Sequence, residues 1–147
     1  MNASVDFNGS KEFVKMGSYG VGVSRLVGAI IEAKYDEKNE IMKWPLAISP
    51  YHCAILPQIN KNDKTNLEKA LNIYEYLKSK NIDTIIDDNE ESISSKMKKF
   101  NLIGIPFQII IGNKTDDDYF EFKEIGEDTK KYKIEEIHKF LNNKLTN

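Results

Sequence analysis

Residues 105–111 read Ile-Pro-Phe-Gln-Ile-Ile-Ile, and Gln108 is the one polar side chain in this stretch. A strand of this composition is expected to be buried on both faces, which is typical of a central strand in a parallel sheet. Two further apolar strands are predicted upstream, at Tyr51–Pro57 and Ile82–Ile86. These three stretches predict the buried centre of a sheet.

Helical patterns separate the predicted strands. Apolar residues spaced three and four apart predict a helix after the first strand, a short helix opened by Ser92 or a neighbour, and a closing helix. Gly112-Asn113 predicts a turn, and Tyr119–Phe122 alternates like a more exposed strand. This order predicts an α/β fold with a mixed, mostly parallel sheet and a late antiparallel edge. The apolar helix positions are Leu67, Ala70, Leu71, Tyr74 and Leu77; Ile93, Met97 and Phe100; and Ile134, Ile137, Leu141 and Leu145.

Composition narrows the classes of function. A net charge of −2 over 147 residues argues against a broadly basic protein that coats nucleic acid, but not against a local basic patch. No run approaches the roughly 18 apolar residues of a membrane span, and residues 1–10 do not resemble a signal peptide, so we expect a cytoplasmic protein. The single cysteine, Cys53, lies in an apolar run and is interpreted as a buried thiol. His52 and His138 have no ligand-spaced neighbours, so no metal site is predicted.

The segment before the predicted sheet is rich in glycine. Residues 16–25 read Met-Gly-Ser-Tyr-Gly-Val-Gly-Val-Ser-Arg. A dinucleotide-binding loop would need glycine where Arg25 stands, and a P-loop would need a following Gly-Lys-Ser/Thr, so both motifs fail. We predict a glycine-paved strand, Lys11–Ser24, that lets a flat base approach, followed by a short helix from Arg25 to about Lys34. A plain buried strand with glycines for packing is the alternative.

This segment resembles motif 3 of class II aminoacyl-tRNA synthetases, and its amino-acid sequence is similar to that of motif 3 in the bacterial prolyl-tRNA synthetases. The resemblance implies that Gly20 and Gly22 floor an ATP pocket and that Arg25 stacks on the adenine and touches the γ-phosphate. It also implies that Ser18 lies beside the prolyl pocket.

The resemblance continues through essentially the whole chain. Trp44-Pro45 and residues 102–106, Leu-Ile-Gly-Ile-Pro, match landmarks of the same family. It implies that residues 1–45 are a strand–helix remnant of the catalytic domain with a linker, and that residues 46–147 are an anticodon-binding domain. The fold implied for that domain is a mixed five-stranded sheet with three helices, whose fifth strand would be Thr129–Lys133.

An acidic segment follows the second predicted strand, and a lysine-rich helix follows that segment. One interpretation is a solvated acidic loop that favours the helix dipole. The other is an anticodon reader, because carboxylates accept from the N–H donors of a guanine edge while lysines hold phosphates, and proline anticodons share two guanines. The resemblance implies anticodon contacts for Asp87, Asp88, Glu91 and Lys96. The same pattern has arginine where this chain has Asn89 and Ser92.

The predicted function is therefore tRNA(Pro) anticodon recognition by the C-terminal fragment of a proline–tRNA ligase. The resemblance implies that the parent enzyme is a homodimer that uses proline and ATP with Mg²⁺. Motifs 1 and 2 of the class are not found here, so we expect this chain alone to be inactive and to hold no bound cofactor. A stand-alone, non-catalytic anticodon-binding accessory protein is the alternative. A small nucleotide-using α/β enzyme has little support, since no general base or nucleophile accompanies the glycines.

Overall fold

The computed structural model describes residues 3–60, 63–113, 115 and 118–146. Up to residue 45 it contains β1 (Ser4–Phe7), β2 (Ser10–Phe13), α1 (Val23–Lys34), β3 (Tyr35–Asp36) and β4 (Ile41–Met42). A short 3-10 helix, Leu46–Ile48, leads into the main sheet. The remaining elements are β5 (Cys53–Pro57), α2 (Thr65–Ser79), β6 (Thr84–Ile86), α3 (Ile93–Ile103), β7 (Phe107–Ile111), β8 (Phe120–Glu124), β9 (Lys130–Tyr132) and α4 (Ile134–Thr146).

The main sheet has five strands in the order β6-β5-β7-β8-β9. β5 pairs in parallel with both β6 and β7, while β8 is antiparallel to β7 and β9 is antiparallel to β8. Four of the five strands therefore run in the same direction. The predicted mixed, mostly parallel sheet is confirmed, and its fifth strand lies within the predicted range Thr129–Lys133. Three α-helices accompany this sheet in the described chain, and α1 precedes them.

Alternation along the central strands divides the core into two layers. Cys53 and Ile55 face a layer formed with α2 and α4, whereas Ala54 and Leu56 face a layer formed with α3. β5 and β7 are buried along their whole length, as their composition predicts. Each fully buried Leu or Ile side chain contributes about 1.5–3 kcal/mol relative to an exposed one. Burial also raises the pKa of the Cys53 thiol, which is the inert cysteine expected from the sequence.

The two edge strands of the sheet are short. β6 and β9 each contain three residues, and β9 carries Lys130 and Lys131. Short, lysine-bearing edges resist pairing with strands of other molecules.

The predicted single strand Lys11–Ser24 is wrong. Residues 4–13 form an antiparallel hairpin instead, and its turn, Asn8-Gly9, has positive φ at both residues (50° and 81°). An Asn-Gly pair of this kind is the strongest short hairpin signal in a sequence, because a type I′ turn needs both left-handed residues. Residues 14–22 belong to no helix or strand.

Helix α1 begins at Val23, two residues before its predicted start at Arg25, and has no buried residue. Its N-cap is Gly22, so no side chain caps it, although Ser24 before the predicted start would be a favourable capping residue. Leu26, Val27 and Ile31 are each exposed, so the apolar face of α1 lies uncovered in the described chain. No helix among the described residues is long and apolar enough to cross a membrane.

The connection into the main sheet is more ordered than a charged linker. Residues 36–43, which are charged and lie in the predicted linker, contribute to the β3–β4 hairpin, and Met42 is buried. The Trp44 indole Nε1 donates to the carbonyl of Ile103, 2.9 Å away, at the end of α3. Gly104 follows α3 in the left-handed conformation (φ 86°) and lies directly against Met42 and Trp44. This contact joins the connection to the sheet-bearing part of the chain.

Candidate functional site

The carboxyl ends of three parallel strands, β5, β6 and β7, lie together at one end of the main sheet, its carboxyl edge. β5 leads through α2 to β6 on one side, and β6 leads through α3 to β7 on the other side of β5. The two connecting helices cover opposite faces, so the direction of winding changes beside β5. In open α/β sheets, ligands bind outside the carboxyl ends of the strands at such a switch point. The segment 87–92, which holds most of the predicted anticodon residues, leaves β6 at this edge.

Lys96 lies inside this edge and has no exposed surface. Its Nζ donates to the carbonyl oxygens of Pro57 and Asp87, each 2.8 Å away, and lies 3.9 Å from Asp87 Oδ1. Burial lowers the pKa of Lys96, and the facing Asp87 carboxylate opposes that shift. A phosphate contact, predicted from the sequence, does not fit this geometry, because a fully buried ammonium that already donates twice does not reach a phosphate.

Asp87 is the buried partner of Lys96. Its Oδ1 accepts hydrogen bonds from the backbone and side-chain amides of Asn89, at 3.1 and 2.8 Å. Its Oδ2 lies 2.6 Å from the Lys99 ammonium. Burial raises the pKa of the Asp87 carboxyl, but the hydrogen bonds from Lys99 and Asn89 outweigh burial, and the pKa lies below its usual value. The Asp87 carboxylate is therefore engaged within the protein.

Asp88 and Glu91 are exposed, unlike Asp87. Within the part of the chain that the structure describes, the Asp88 carboxylate accepts no hydrogen bond. Glu91 is partly engaged, since its Oε2 accepts from Ser95 Oγ (2.9 Å) and its Oε1 lies 3.5 Å from Lys99 Nζ. An exposed carboxylate on an ordered segment is a suitable acceptor for adjacent N–H groups of a base edge. Of the predicted residues, Asp88 best fits direct base reading.

The two positions where the resemblance expects arginine have local structural roles here. Asn89 donates to Asp87, and Ser92 is the N-cap of α3, accepting from the Ser95 amide at 3.2 Å. The predicted helix opening at Ser92 is thus correct. Losing a serine cap typically costs about 1 kcal/mol.

The predicted ATP and prolyl residues lie apart from this edge. Ser18, Gly20, Gly22 and Arg25 are all exposed on the N-terminal segment, and Arg25 lies in the first turn of α1. Apart from Gly20 itself and its two chain neighbours, no atom of the described chain comes within 4 Å of the position that a Gly20 Cβ would occupy. In the described residues, no hydrogen bond or ion pair joins these four residues to the Lys96 site, which consists of Lys96, Pro57, Asp87 and Lys99. Their nucleotide role stays a prediction.

Lys98, Lys99, Lys130 and Lys131 are predicted from the sequence as lysines that compensate for the missing arginines in tRNA binding, but the link that Lys99 makes between Asp87 and Glu91 was not predicted. Sequence reasoning also missed the burial of Lys96, although a signal was present. Ile93, Lys96, Met97 and Phe100 follow the i, i+3, i+4, i+7 spacing of one helix face, so Lys96 stands on the face that packs against the sheet. No cluster of metal-ligating side chains occurs among the described residues.

Comparison with known proteins identifies the sheet-bearing part. Residues 52–144 match a family model described as "Anticodon binding domain". The chain belongs to the anticodon-binding domain family. The matched residues begin just before β5 and end within α4, so they include the whole five-stranded sheet and the Lys96 site.

Similar curated proteins extend the comparison beyond the anticodon-binding domain. A proline–tRNA ligase of Pelagibacter ubique is 61% identical over 142 residues, which are 96% of this chain and 32% of the relative. Proline–tRNA ligases of Finegoldia magna and Thermoanaerobacter sp. strain X514 are 41% and 37% identical over 84% and 90% of this chain. The chain spans about a third of the first relative and 21% and 23% of the other two.

Proposed function

We propose that this chain is the anticodon-recognising part of a proline–tRNA ligase and that it binds tRNA(Pro). The observation that carries the proposal is the ordered, exposed Asp88 at the carboxyl edge of an anticodon-binding domain. Identity of 61% to a proline–tRNA ligase over 96% of the chain supports proline as the amino acid. Guanine offers adjacent N–H donors on its Watson–Crick edge, and an unpaired carboxylate is an acceptor that matches them.

The N-terminal segment belongs to the catalytic side of the same proposal. Arg25 and the glycines Gly20 and Gly22 would contact ATP, with Mg²⁺, and Ser18 would lie beside proline once the rest of the enzyme surrounds them. The exposed apolar face of α1 supports this assignment, because such a face is expected to pack against further protein. The whole enzyme would act in the cytoplasm as a homodimer.

The chain alone is expected to form no prolyl-adenylate. Aminoacyl activation needs several cationic groups and a metal ion positioned together around ATP, and one exposed arginine does not supply them. Proline-dependent ATP–pyrophosphate exchange with the purified chain measures this directly. Exchange above background would contradict the expectation.

Anticodon reading is tested by tRNA binding. The purified chain is titrated with a tRNA(Pro) transcript and with transcripts in which one or both anticodon guanines are replaced. We expect each replacement to weaken binding by about 1–3 kcal/mol, the usual cost of a lost base contact. Equal affinity for every anticodon would overturn the base-reading function.

A further inference from the structure

Two charged side chains are buried among the described residues, Asp87 and Lys96, and they face each other. Charged residues are almost never fully buried unless they are paired. Lys96 lies near the start of α3, whereas its acceptors come from the ends of β5 and β6. Lys96 therefore joins three elements at the carboxyl edge of the sheet, and an apolar side chain in its place would fill the core without making these contacts.

The two carbonyl acceptors define what Lys96 holds in place. The carbonyl of Asp87 belongs to the peptide plane that links Asp87 to Asp88, and the carbonyl of Pro57 belongs to the plane that follows β5. Because each peptide unit is planar, fixing its oxygen fixes the direction in which the next residue leaves. The ammonium thereby sets the orientation of the backbone from which the exposed Asp88 projects.

Lys99 holds the Asp87 side chain from the solvent side. Its ammonium lies 2.6 Å from Asp87 Oδ2, while Asn89 donates to Oδ1 of the same carboxylate. The residues on both sides of Asp88 are therefore held, while its own carboxylate accepts no hydrogen bond in the described chain. Contacts of this kind hold a recognition group within the narrow range of positions that specific binding requires.

We propose that Lys96 is a positioning residue for anticodon reading: it holds the Asp87–Asp88 peptide against the end of β5 and so presents the Asp88 carboxylate to the guanine edge. This inference rests on the proposed function. It replaces a contact between Lys96 and phosphate, and it differs from a purely structural role because it predicts a change in base preference.

The test substitutes Lys96→Met, which keeps an unbranched side chain up to the Cε position and removes the ammonium with its charge and donors. The matched control is Lys139→Met, an exposed lysine on α4, which packs against the opposite face of the sheet. Both variants are checked for folding by circular dichroism and by Trp44 fluorescence. Each is then titrated with tRNA(Pro) and with the transcript lacking both anticodon guanines, over a series of salt concentrations.

We expect folded Lys96→Met to lose roughly fivefold or more of its preference for the intact anticodon, by comparison with lost base contacts. Its salt dependence should match that of the unmodified chain, and Lys139→Met should keep the full preference. A uniform loss of affinity with a salt slope shallower by about 0.7–0.9 would indicate a phosphate contact and overturn the proposal. An unchanged preference in folded Lys96→Met would indicate a purely structural lysine and overturn it as well.

If Lys96→Met does not fold, Lys96→Gln serves in its place, because its shorter, uncharged side chain removes the ammonium that binds the two carbonyls but keeps a polar group at the buried position. A reduced preference for the intact anticodon then supports the proposal, and an unchanged preference overturns it. The unmodified chain separates this inference from the proposed function. If it shows no base preference, both fail, whereas preference retained in the variants refutes the positioning role alone.

Discussion

Substitution Gly104→Ala is expected to destabilise this chain strongly. Gly104 ends α3 at φ 86°, a conformation that costs a residue with a side chain about 1–2 kcal/mol. The added Cβ would lie 2.7 Å from Trp44 Cδ1 and 2.8 Å from both the Cγ and the backbone oxygen of Met42. Those contacts involve a half-buried ring and a backbone atom, which yield poorly.

Crowding of this kind typically adds about 1–3 kcal/mol to the conformational cost. We therefore expect Gly104→Ala to lower the free energy of unfolding by roughly 2–5 kcal/mol. Gly126→Ala is the matched control, because Gly126 has nearly the same φ, 84°, but its added Cβ would meet only the flexible end of Lys43, at 3.1 Å or more. Its expected cost is the conformational part alone, about 1–2 kcal/mol.

Urea titration monitored by Trp44 fluorescence measures both variants. Trp44 is the only tryptophan in the chain, and it lies at the contact that Gly104→Ala disturbs. A shift of the unfolding midpoint at unchanged slope converts directly into the loss of stability. Equal losses in the two variants would show that the crowding against Trp44 and Met42 has no energetic weight.

Three other outcomes can be measured on the same protein. Asp88→Asn should weaken binding to the intact anticodon by about 1–3 kcal/mol and leave binding to a transcript without the guanines unchanged. Equal losses of binding free energy in the two titrations would exclude base reading by Asp88. Because the folded-state pKa of Asp87 is depressed, its stabilising contribution is complete above the unfolded-state pKa and disappears as pH falls through the lower folded-state value. Asp87→Asn should accordingly show a flatter loss of stability in acid than the unmodified chain, and identical acid profiles would refute this contribution. Backbone amides of residues 3–35 should exchange hydrogen faster than those of β5 and β7, since α1 has no buried residue, and mass spectrometry finding equal protection would contradict this.

The fold of the sheet-bearing part was predictable from local pattern. Residues 107–111 are apolar except for Gln108, and a strand of that composition is typically found in the middle of a sheet that is covered on both faces. Ser92 before an apolar helix face predicted the start of α3 through its capping hydroxyl. The N-terminal hairpin was equally visible in Asn8-Gly9, but the later glycines drew the strand assignment towards residues 11–24.

The site was less predictable because its contacts join residues distant in sequence. Lys96 and Pro57 are 39 positions apart and meet only when β5 and β6 lie side by side. A lysine is usually exposed, so residue type alone predicts an exposed Lys96. The helical spacing places Lys96 on the packed face, but it does not show which acceptors the buried ammonium meets there. Asp87 and Asp88 illustrate the same limit, since two adjacent aspartates in one acidic segment have opposite environments.

The short edges of the main sheet have a consequence for handling this protein in solution. β6 and β9 offer three residues each, and the lysines of β9 repel a neighbouring copy, so growth of the sheet by strand addition is disfavoured. The apolar face of α1 has no such protection. Self-association at high concentration should therefore begin at α1 and remain native-like, with reversible light scattering and unchanged β-sheet content, rather than proceed to fibrils.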